Sequence, residues 1–154
     1  MLGNATAQWM LARMYRDGEG LDRELEQSLS WMTIASELGH PNAQFYLGLM
    51  YDTAQGVAHD ADLARYWYTQ SAEQGQINAQ FSLGMQHFEK NSPLFGTQEA
   101  RAWMEKAAKQ GDAQAQYMLA SLLLDDTGGA GNRDRAIEWF GKAAAQGHIY
   151  AGGR

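Results

Sequence analysis

A glycine recurs every 36 residues, and this period constrains the fold more than any other feature of the chain. The glycines are Gly3, Gly39, Gly75, Gly111 and Gly147. A fixed period of about 20–50 residues is the signature of an array built from one repeated supersecondary unit. We therefore predict a single domain over residues 1–154, with four repeats at about 3–38, 39–74, 75–110 and 111–146 and the start of a truncated fifth repeat at 147–154.

Other residue types keep the same period. An alanine, a glutamine, an aromatic residue, a leucine and a small residue follow at fixed distances in each complete repeat, and a tryptophan comes later. In the second repeat the residues of this pattern are Gly39, Ala43, Gln44, Phe45, Leu47, Gly48 and Tyr51. The recurring tryptophans are Trp31, Trp67, Trp103 and Trp139. So many shared positions indicate one unit used four times.

Each repeat is predicted to form two helices. Pro41 suits the first helical position, where its missing N–H costs no hydrogen bond, and Asp112 suits the preceding cap position. The first helices should therefore begin near residues 5, 41, 77 and 113. The fold class is all-α, with eight antiparallel helices.

The ends of these helices are predicted from capping residues. The first helix should end before a glycine column suited to left-handed backbone, and the second helix should end at the 36-residue glycine. The glycine column comprises Gly20, Gly56 and Gly128, with Ser92 in the third repeat. The predicted starts of the second helices are Asp60, Gly96–Thr97 and Asn132.

The recurring residues form one face of the first helix. At about 100° per residue, Gln8, Leu11, Ala12 and Tyr15 fall within roughly one third of its circumference. The small residue lets another helix come close, while leucine and the aromatic ring fill the space beside it. One helix pair cannot cover this face, so successive pairs must stack into a continuous core, as in solenoid proteins.

Composition excludes several functions. The 154 residues include 12 Lys and Arg against 18 Asp and Glu, a formal charge of −6, so the cationic footprint of a nucleic-acid-binding protein is missing. The chain has no cysteine, which excludes disulfides and thiolate chemistry. No segment approaches the ~18 apolar residues of a membrane span, so no membrane insertion is expected.

The motif resembles the Sel1-like repeat, a subclass of the tetratricopeptide-like α/α solenoids. Its pattern has A-x-Y-x-L-G-x-x-Y, a G-x-G-V-type turn, A-x-x-W-Y-x-x-A and A-x-x-G. The second repeat matches through Ala43, Phe45, Leu47, Gly48, Tyr51, Gly56, Val57, Ala64, Trp67, Tyr68, Ala72 and Gly75. The likeness covers residues 3–147. The third repeat departs from it, because His87 replaces the tyrosine and residues 91–95 replace the glycine turn.

The resemblance implies a right-handed superhelix whose first helices line the concave side. It also implies a protein-binding adaptor, since family members act in bacterial envelope biology, signalling, host interaction and toxin immunity, and in eukaryotic endoplasmic reticulum quality control. As a rule they are not enzymes. A bacterial origin is implied at the family level only. The compartment, cytoplasm or periplasm, stays open because an export signal could have been removed.

The opposite face of the first helix is the predicted partner-binding surface. Positions 10, 13, 14 and 17 lie about 180° from the packing face by the same helical arithmetic. Methionine adapts to partner shape and exposed apolar patches mark contact sites, so a helix or extended segment of another protein would suit this face. The predicted residues are Met10, Arg13, Asp17, Tyr46, Leu49, Met50, Met85, Gln86, Met118 and Leu122, with Glu89 and Asp125 on the rim.

Burial is the alternative for part of this face. In that case the side chains at positions 14, 50 and 122 lie under the adjoining helices and do not contact a partner.

Three further stretches are weaker candidates. Pro93–Leu94–Phe95 either folds onto the core or contacts a partner. Gly128–Gly131 lacks the lysine and strand of a phosphate-binding loop and is predicted to be a turn. The four histidines lack metal-ligand spacing and no activated nucleophile stands out, so no metal, cofactor or catalytic residue is predicted.

The C-terminal repeat lacks a cap in the sequence pattern, because Gly152 and Gly153 stand where glutamine and an aromatic residue belong. Repeat arrays need polar caps, so this end is predicted to be cut from a longer array or covered by a partner or a second copy, giving an end-to-end homo-oligomer. For function, an adaptor with micromolar partners comes first. An immunity protein that inhibits one secreted antibacterial toxin is the alternative, and a hydrolase is a remote third.

Overall fold

The computed structural model describes residues 2–17, 24–125 and 130–147, with side chains at 4–17, 24–125 and 131–147. Within these ranges the chain forms eight α-helices, one short 3-10 helix and no strand, which confirms the all-α prediction. The α-helices are α1 (Leu2–Asp17), α2 (Leu25–Glu37), α3 (Pro41–Thr53), α4 (Ala61–Glu73), α5 (Ile77–Met85), α6 (Gln98–Lys109), α7 (Ala113–Asp125) and α8 (Ala130–Ala145). The 3-10 helix, Gln86–Phe88, follows α5 directly.

Capping explains where most of these helices begin. Pro41 is the first residue of α3, and the Asp112 carboxylate accepts the N–H of Ala115 at 2.8 Å at the start of α7. Side chains of Asp60 and Thr97 cap α4 and α6 in the same way. The predicted starts near residues 41, 77 and 113 and the caps at 60 and 97 are therefore confirmed.

Glycines in left-handed backbone follow the second helix of each repeat. Their φ angles are 91° at Gly39, 90° at Gly75, 100° at Gly111 and 83° at Gly147. Gly56, in the predicted glycine column after α3, has φ 72°. A side chain at a positive φ is strained, so the 36-residue period is set by the turn that each glycine permits.

Two predicted boundaries are wrong. The first helix begins at Leu2 rather than near residue 5. The last helix begins at Ala130, so Asn132 does not start it and Gly131 is helical rather than part of a turn. Gly20, Gly128, Gly129 and the predicted fifth repeat at 148–154 lie outside the described residues.

The chain divides into two compact units, Met1–Ala79 and Gln80–Arg154, and the boundary falls within α5. The core of the N-terminal unit is one cluster of Trp9, Ala12, Met32, Ala35, Ala43, Leu47 and Met50. The C-terminal unit buries Leu83, Trp103, Met104, Leu119, Leu123 and Trp139. Each unit therefore has its own apolar interior.

The recurring tryptophans differ in burial between the two units. Trp103 and Trp139 are buried, while Trp31 and Trp67 are half-buried. The ammonium groups of Lys106 and Lys142 lie 4.7 Å and 4.6 Å from the centroids of the two buried rings. Burying one such side chain contributes about 1.5–3 kcal/mol, so each tryptophan matters to the repeat that carries it.

Small residues hold the paired helices close together. A Cβ built on Gly48 would lie 2.7 Å from Cδ1 of Tyr68 and 3.1 Å from the carbonyl oxygen of Ala64. A Cβ on Gly84 would lie 3.0 Å from Cα of Met104. The 2.7 Å separation at Gly48 is shorter than real Cβ contacts, and the 3.0 Å separation at Gly84 is tighter than an ordinary contact, so the prediction that this column admits a neighbouring helix is confirmed.

The recurring glutamines link three helices by hydrogen bonds. Gln44 Nε2 in α3 donates to the carbonyl oxygen of Ser36 at 3.1 Å, and its Oε1 accepts from Gln74 Nε2 at 2.8 Å. The C-terminal unit repeats the arrangement, with Gln116 donating to the Ala108 carbonyl at 3.1 Å and accepting from Gln146 at 2.9 Å. The glutamine can be buried because both groups of its amide are hydrogen-bonded. The nitrogen donates to a carbonyl at the end of the preceding helix, and the oxygen accepts from the glutamine that follows the next helix.

The first repeat lacks one member of this arrangement. Leu38 stands where later repeats have Gln74, Gln110 and Gln146, and all of these precede the turn glycine. Leu38 has φ −82° and ψ 1°, close to the −88° and 4° of Gln74. Gln8 Oε1 is correspondingly buried without a hydrogen-bond partner among the described residues.

Replacing Leu38 with glutamine should therefore stabilise the protein. Leu38 is 45% exposed, so little packing is lost, and satisfying the buried Gln8 oxygen should add about 0.5–1.5 kcal/mol. The measurement is the urea unfolding midpoint at constant m-value. Leu38→Met, which matches the length of glutamine without its amide, is the control, and equal midpoints for the two variants would contradict the account.

His40 caps α3 with an imidazole nitrogen. Its Nδ1 accepts the N–H of Ala43 at 3.3 Å, and its ring stacks on Trp9 with centroids 5.6 Å apart. Burial lowers the pKa of His40 below its ordinary value. A protonated Nδ1 cannot accept a hydrogen bond, so only the neutral ring caps the helix.

Stability should consequently fall in mild acid. Because the folded protein disfavours protonated His40, the neutral ring contributes to the free energy of unfolding above the unfolded pKa of about 6.5. This contribution is lost as the pH falls from there toward the lower pKa of His40 in the folded protein. His40→Asn keeps a capping oxygen that does not titrate. Thermal unfolding of both proteins across this pH range should show a smaller acid-induced loss for the variant; parallel curves would exclude this role of His40.

Candidate partner-binding surface

A stack of aromatic rings joins α1 to α3 in the N-terminal unit. The rings of Trp9 and Tyr46 are inclined by 28° with centroids 5.0 Å apart, and Phe45 meets Tyr46 edge to face at 5.1 Å. Trp9 is buried and Tyr46 is half-buried. Such aromatic pairs add about 0.5–1.5 kcal/mol beyond area burial, so Tyr46 has a packing role as well as an exposed edge.

Arginine side chains cover the outer side of this stack. The guanidinium carbon of Arg16 lies 4.0 Å from the Tyr46 ring centroid, and that of Arg13 lies 5.9 Å from Trp9. Cation–π contacts of this kind contribute about 0.5–1 kcal/mol at exposed sites. Both guanidinium groups therefore lie against aromatic rings, Arg13 against Trp9 and Arg16 against Tyr46.

Asp17 fixes the orientation of Arg16. Its carboxylate accepts from Nε at 2.8 Å and from Nη2 at 3.3 Å, which is a two-point contact. Burial alone would lower the pKa of Arg16, but hydrogen bonding to Asp17 and to Tyr46 raises it above the ordinary value. The guanidinium is therefore charged throughout the physiological range.

A cleft of about 510 Å³ opens beside this arginine. It is lined by Arg16, Asp17, Tyr46, Leu49 and Gln55. Gln55 reaches it because α3 ends in a left-handed residue, Ala54, with φ 56°. We call the Arg–aromatic surface the set of Met10, Arg13, Arg16, Asp17, Tyr46 and Leu49.

Met10 provides the apolar part of the Arg–aromatic surface. It is 57% exposed on α1, whereas Leu49 is half-buried on α3. Arginine, tyrosine and methionine are enriched in protein interfaces relative to other surface, and tyrosine and arginine dominate their energetic centres. This composition suits recognition of another protein, and it offers no activated nucleophile or acid–base pair.

The prediction of partner binding is wrong for three residues because they are buried, and at positions 50 and 122 the alternative prediction of burial is confirmed. Met50 is 1% exposed in the N-terminal core, Leu122 is buried in α7, and Gln86 is buried with its Oε1 accepting from Ser92 Oγ at 2.7 Å. The first helix of a repeat packs against the second helices of its own and of the preceding repeat, as α3 does against α4 and α2. Two of its faces are therefore covered, and the outward face is narrower than helical arithmetic alone suggests.

The other predicted residues divide between the two units. Met10, Arg13, Asp17, Tyr46 and Leu49 all belong to the N-terminal unit, where Asp17, Tyr46 and Leu49 line one cleft. Met85 and Met118 are half-buried on α5 and α7 of the C-terminal unit, where the predicted rim residues Glu89 and Asp125 are exposed. A groove continuous over all four repeats stays a prediction.

The sequence analysis does not identify Arg16 as part of the surface, nor Trp9 as the buried ring against which Arg13 lies. Arg16 lies beside, rather than within, the face formed by positions 10, 13, 14 and 17. The available signal was the spacing of Arg13 and Arg16, three residues apart and therefore neighbours on a helix. Their aromatic partners, at positions 9 and 46, could be paired only in three dimensions.

The loop after the 3-10 helix supports both interpretations of Pro93–Leu94–Phe95. Leu94 is buried against the C-terminal unit, whereas Pro93 and Phe95 are exposed. Among the described residues no group of three or more histidine, aspartate or glutamate side chains is placed to hold a metal ion. None of the described helices is both long enough and apolar enough to cross a membrane.

Comparison with known proteins identifies the repeat. The Sel1 repeat model matches residues 5–40, 41–76, 77–112 and 113–148, which share the 36-residue period. A Sel1 repeat protein from Oxalobacter formigenes is 34% identical with a TM-score of 0.87, over 96% of this chain and 43% of that protein. A protective antigen of uropathogenic Escherichia coli strains, displaying an SLR fold, is 36% identical with a TM-score of 0.81 over 97% of this chain.

The chain spans 43% and 32% of the lengths of these two proteins. An immunity protein from Pseudomonas aeruginosa has a TM-score of 0.61 at 20% identity, over 96% of this chain and 54% of that protein, which shows a shared fold alone. No curated protein matches the chain. With four matched repeats over nearly its whole length, the chain belongs to the Sel1 repeat family, whose members generally mediate protein–protein interactions and are generally not catalytic.

Proposed function

We propose that this protein is a non-enzymatic interaction module that binds a segment of a partner protein on the Arg–aromatic surface. The observation that carries the proposal is the pair of arginines held on the Trp9–Tyr46 stack beside the exposed Met10. This geometry and the general behaviour of the family support the role of adaptor or scaffold that we propose.

Preorganisation supports binding at this surface. Arg16 is fixed by the Asp17 carboxylate and by the Tyr46 ring, so ordering it in a complex costs little entropy. Arg13 is exposed above Trp9 and supplies a cation to the partner. Met10 and Leu49 supply adaptable apolar area.

These contacts define the chemistry of the partner segment. An aliphatic or aromatic side chain would cover Met10 and Leu49, and a carboxylate would reach Arg13, because the charge of Arg16 is already matched by Asp17. The chain's formal charge of −6 disfavours a partner that is acidic over its whole surface. We therefore propose a segment in which acidic and apolar residues alternate on one face.

Inhibition of an antibacterial toxin is the alternative function. The likeness to an immunity protein is at 20% identity and supports only the fold, so this alternative stays a prediction. The two functions differ in the number and affinity of their partners, since an inhibitor needs one stoichiometric enzyme whereas an adaptor has several weaker partners.

Charge and polarity changes at the surface should weaken binding without unfolding the protein. Met10→Glu combined with Arg13→Glu should weaken binding of a purified partner about tenfold or more, because both an apolar contact and a cation are lost. Isothermal titration calorimetry measures the affinity. The control is Ile137→Glu with Arg133→Glu on α8, where Ile137 is 60% exposed against 57% for Met10. Equal weakening by the two pairs would refute the site.

A photo-crosslinking residue at position 10 should identify the partner in native cells. Position 137, matched in exposure, is the control. One crosslinked enzyme in stoichiometric amount would support the inhibitor, and several substoichiometric proteins the adaptor. Crosslinks from position 137 alone would contradict a partner site on the Arg–aromatic surface.

A further inference from the structure

Lysine side chains shield the recurring tryptophans of the C-terminal unit from solvent. Lys106 and Lys142, each three residues after its tryptophan, lie over the rings of Trp103 and Trp139. Both tryptophans are 9% exposed. A lysine covers a ring with its aliphatic stem and places its ammonium group in water. In this unit the tryptophans of the second helices therefore offer little apolar surface to a partner.

The N-terminal unit lacks these lysines. The corresponding residues of α2 and α4 are Ile34 and Gln70. Trp31 and Trp67 pack against the core cluster of this unit, yet they are only half-buried, more exposed than their C-terminal counterparts. The N-terminal unit therefore leaves part of two tryptophan rings open to solvent.

Other apolar side chains extend this exposed area along α2 and α4. Ile34 is 40% exposed, Leu63 39% and Tyr66 52%. Leu63, Tyr66 and Trp67 follow one side of α4 at spacings of three and four residues, and the Tyr66 and Trp67 rings meet edge to face at 5.0 Å. We call the tryptophan face the set of Trp31, Ile34, Leu63, Tyr66 and Trp67. Clustered exposed apolar residues of this kind mark contact sites.

Carboxylates border the tryptophan face at the ends of both helices. Glu37 is the last residue of α2 and Glu73 the last residue of α4, and both are exposed. A negative charge is unfavourable there, because the C-terminus of a helix carries a partial negative charge, whereas α6 ends in the favourable Lys109. α2 contains no lysine or arginine, and α4 contains only Arg65, whose Nη2 donates to the Asp62 carboxylate at 2.7 Å. The tryptophan face is therefore bordered by negative charge.

The net charge of the chain has the same location. Residues Met1–Ala79 include 4 Lys and Arg against 10 Asp and Glu, whereas Gln80–Arg154 include 8 of each kind. The formal charge of −6 therefore belongs to the N-terminal unit. Its potential attracts cations, so a partner that covers the tryptophan face should be positively charged.

We propose that the tryptophan face binds an amphipathic helix of another protein, with aliphatic residues on one side and lysine or arginine beside them. The aliphatic side of such a helix covers an apolar surface with residues three and four apart. Tryptophan and tyrosine provide much of the affinity in protein interfaces. The cations of the helix reach Glu37 and Glu73 and offset the unfavourable charge at two helix ends.

Charge disfavours two other occupants. Anionic lipid headgroups would be repelled by the carboxylates around the face. A second copy docked through the same face would bring Glu37 and Glu73 of both copies together. The tryptophan face is formed by the second helices α2 and α4, whereas the Arg–aromatic surface is formed by the first helices α1 and α3. The proposal therefore does not rest on the proposed function.

The indole N–H signals of ¹⁵N-labelled protein test the proposal, because each of the five tryptophans gives one signal. The probe is the peptide acetyl-LKKLLKLLKKLLKL-amide, whose leucines lie on one side of a helix. The signals of Trp31 and Trp67 should shift with saturation, while those of Trp103 and Trp139 keep their positions. The same peptide with glutamate in place of every lysine should bind about tenfold more weakly or worse. Unsaturable shifts, shifts confined to Trp103 and Trp139, or equal affinity for the two peptides would overturn the proposal.

A pair of lysine substitutions assigns the binding to the tryptophan face. Ile34→Lys with Gln70→Lys restores the residues that cover the C-terminal tryptophans and should weaken the lysine peptide about tenfold or more. Thr6→Lys with Asn78→Lys is the control, because it adds the same charge at exposed positions on first helices of the same unit. Equal weakening by the two pairs would show that only overall charge matters and would overturn the proposal.

A second pair tests the carboxylates without altering the apolar side chains. Glu37→Gln with Glu73→Gln should weaken the lysine peptide severalfold and reduce the salt dependence of its affinity. The amide spectra of all free variants establish that each is folded. Unchanged affinity in this pair would exclude recognition of the cations at the helix ends.

Sedimentation velocity distinguishes a partner helix from a second copy. Any self-association of the protein should be the same in Ile34→Lys with Gln70→Lys as in the unaltered chain. A concentration-dependent dimer that this variant abolishes would assign the tryptophan face to a second copy. Displacement of the peptide by phosphatidylglycerol vesicles would assign it to a membrane, and either result would overturn the proposal.

Discussion

The close approach of two helices at one small residue per repeat is the constraint on which the rest of the structure depends. At Gly48 and Gly84 the neighbouring helix occupies the space that a Cβ would need. Once the first helix is pressed against its partner, leucine and alanine fill the remaining space and the glutamine amide reaches the neighbouring helix ends. The residue types of the inner face are therefore determined by packing, and partner recognition must use the side chains that face outward.

In the N-terminal unit, the outward-facing side chains contact the core directly. Trp9 is buried among core residues, and its ring also stacks on Tyr46 and contacts the Arg13 guanidinium. The Tyr46 ring in turn contacts the Arg16 guanidinium. The same side chains thus stabilise the unit and orient the cations of the surface on which we propose that a partner binds. A rigid surface of this kind binds with a smaller entropic cost than a flexible one.

The repeat, the helix starts and the packing columns could be predicted from the sequence because they follow from local rules. Pro41, Asp112 and the positive-φ glycines act on residues next to them. The burial of Gln86 could not be predicted in this way, and for Met50 and Leu122 the sequence left burial and exposure as alternatives. It depends on a second helix that packs on the outward side, and a single-helix projection does not contain that helix.

Contacts between distant residues account for the other differences. The Arg16–Tyr46 and Gln44–Gln74 pairs each join residues 30 apart, and their geometry is set by the tertiary fold.

The methyl signals of the methionines test the central claim most directly, because one labelled sample reports on the surface and the core together. On adding a purified partner, the Met10 methyl signal should shift or broaden, while those of the buried Met32, Met50 and Met104 should keep their positions. An unchanged Met10 signal in a saturated complex would contradict the claim that the partner binds on the Arg–aromatic surface.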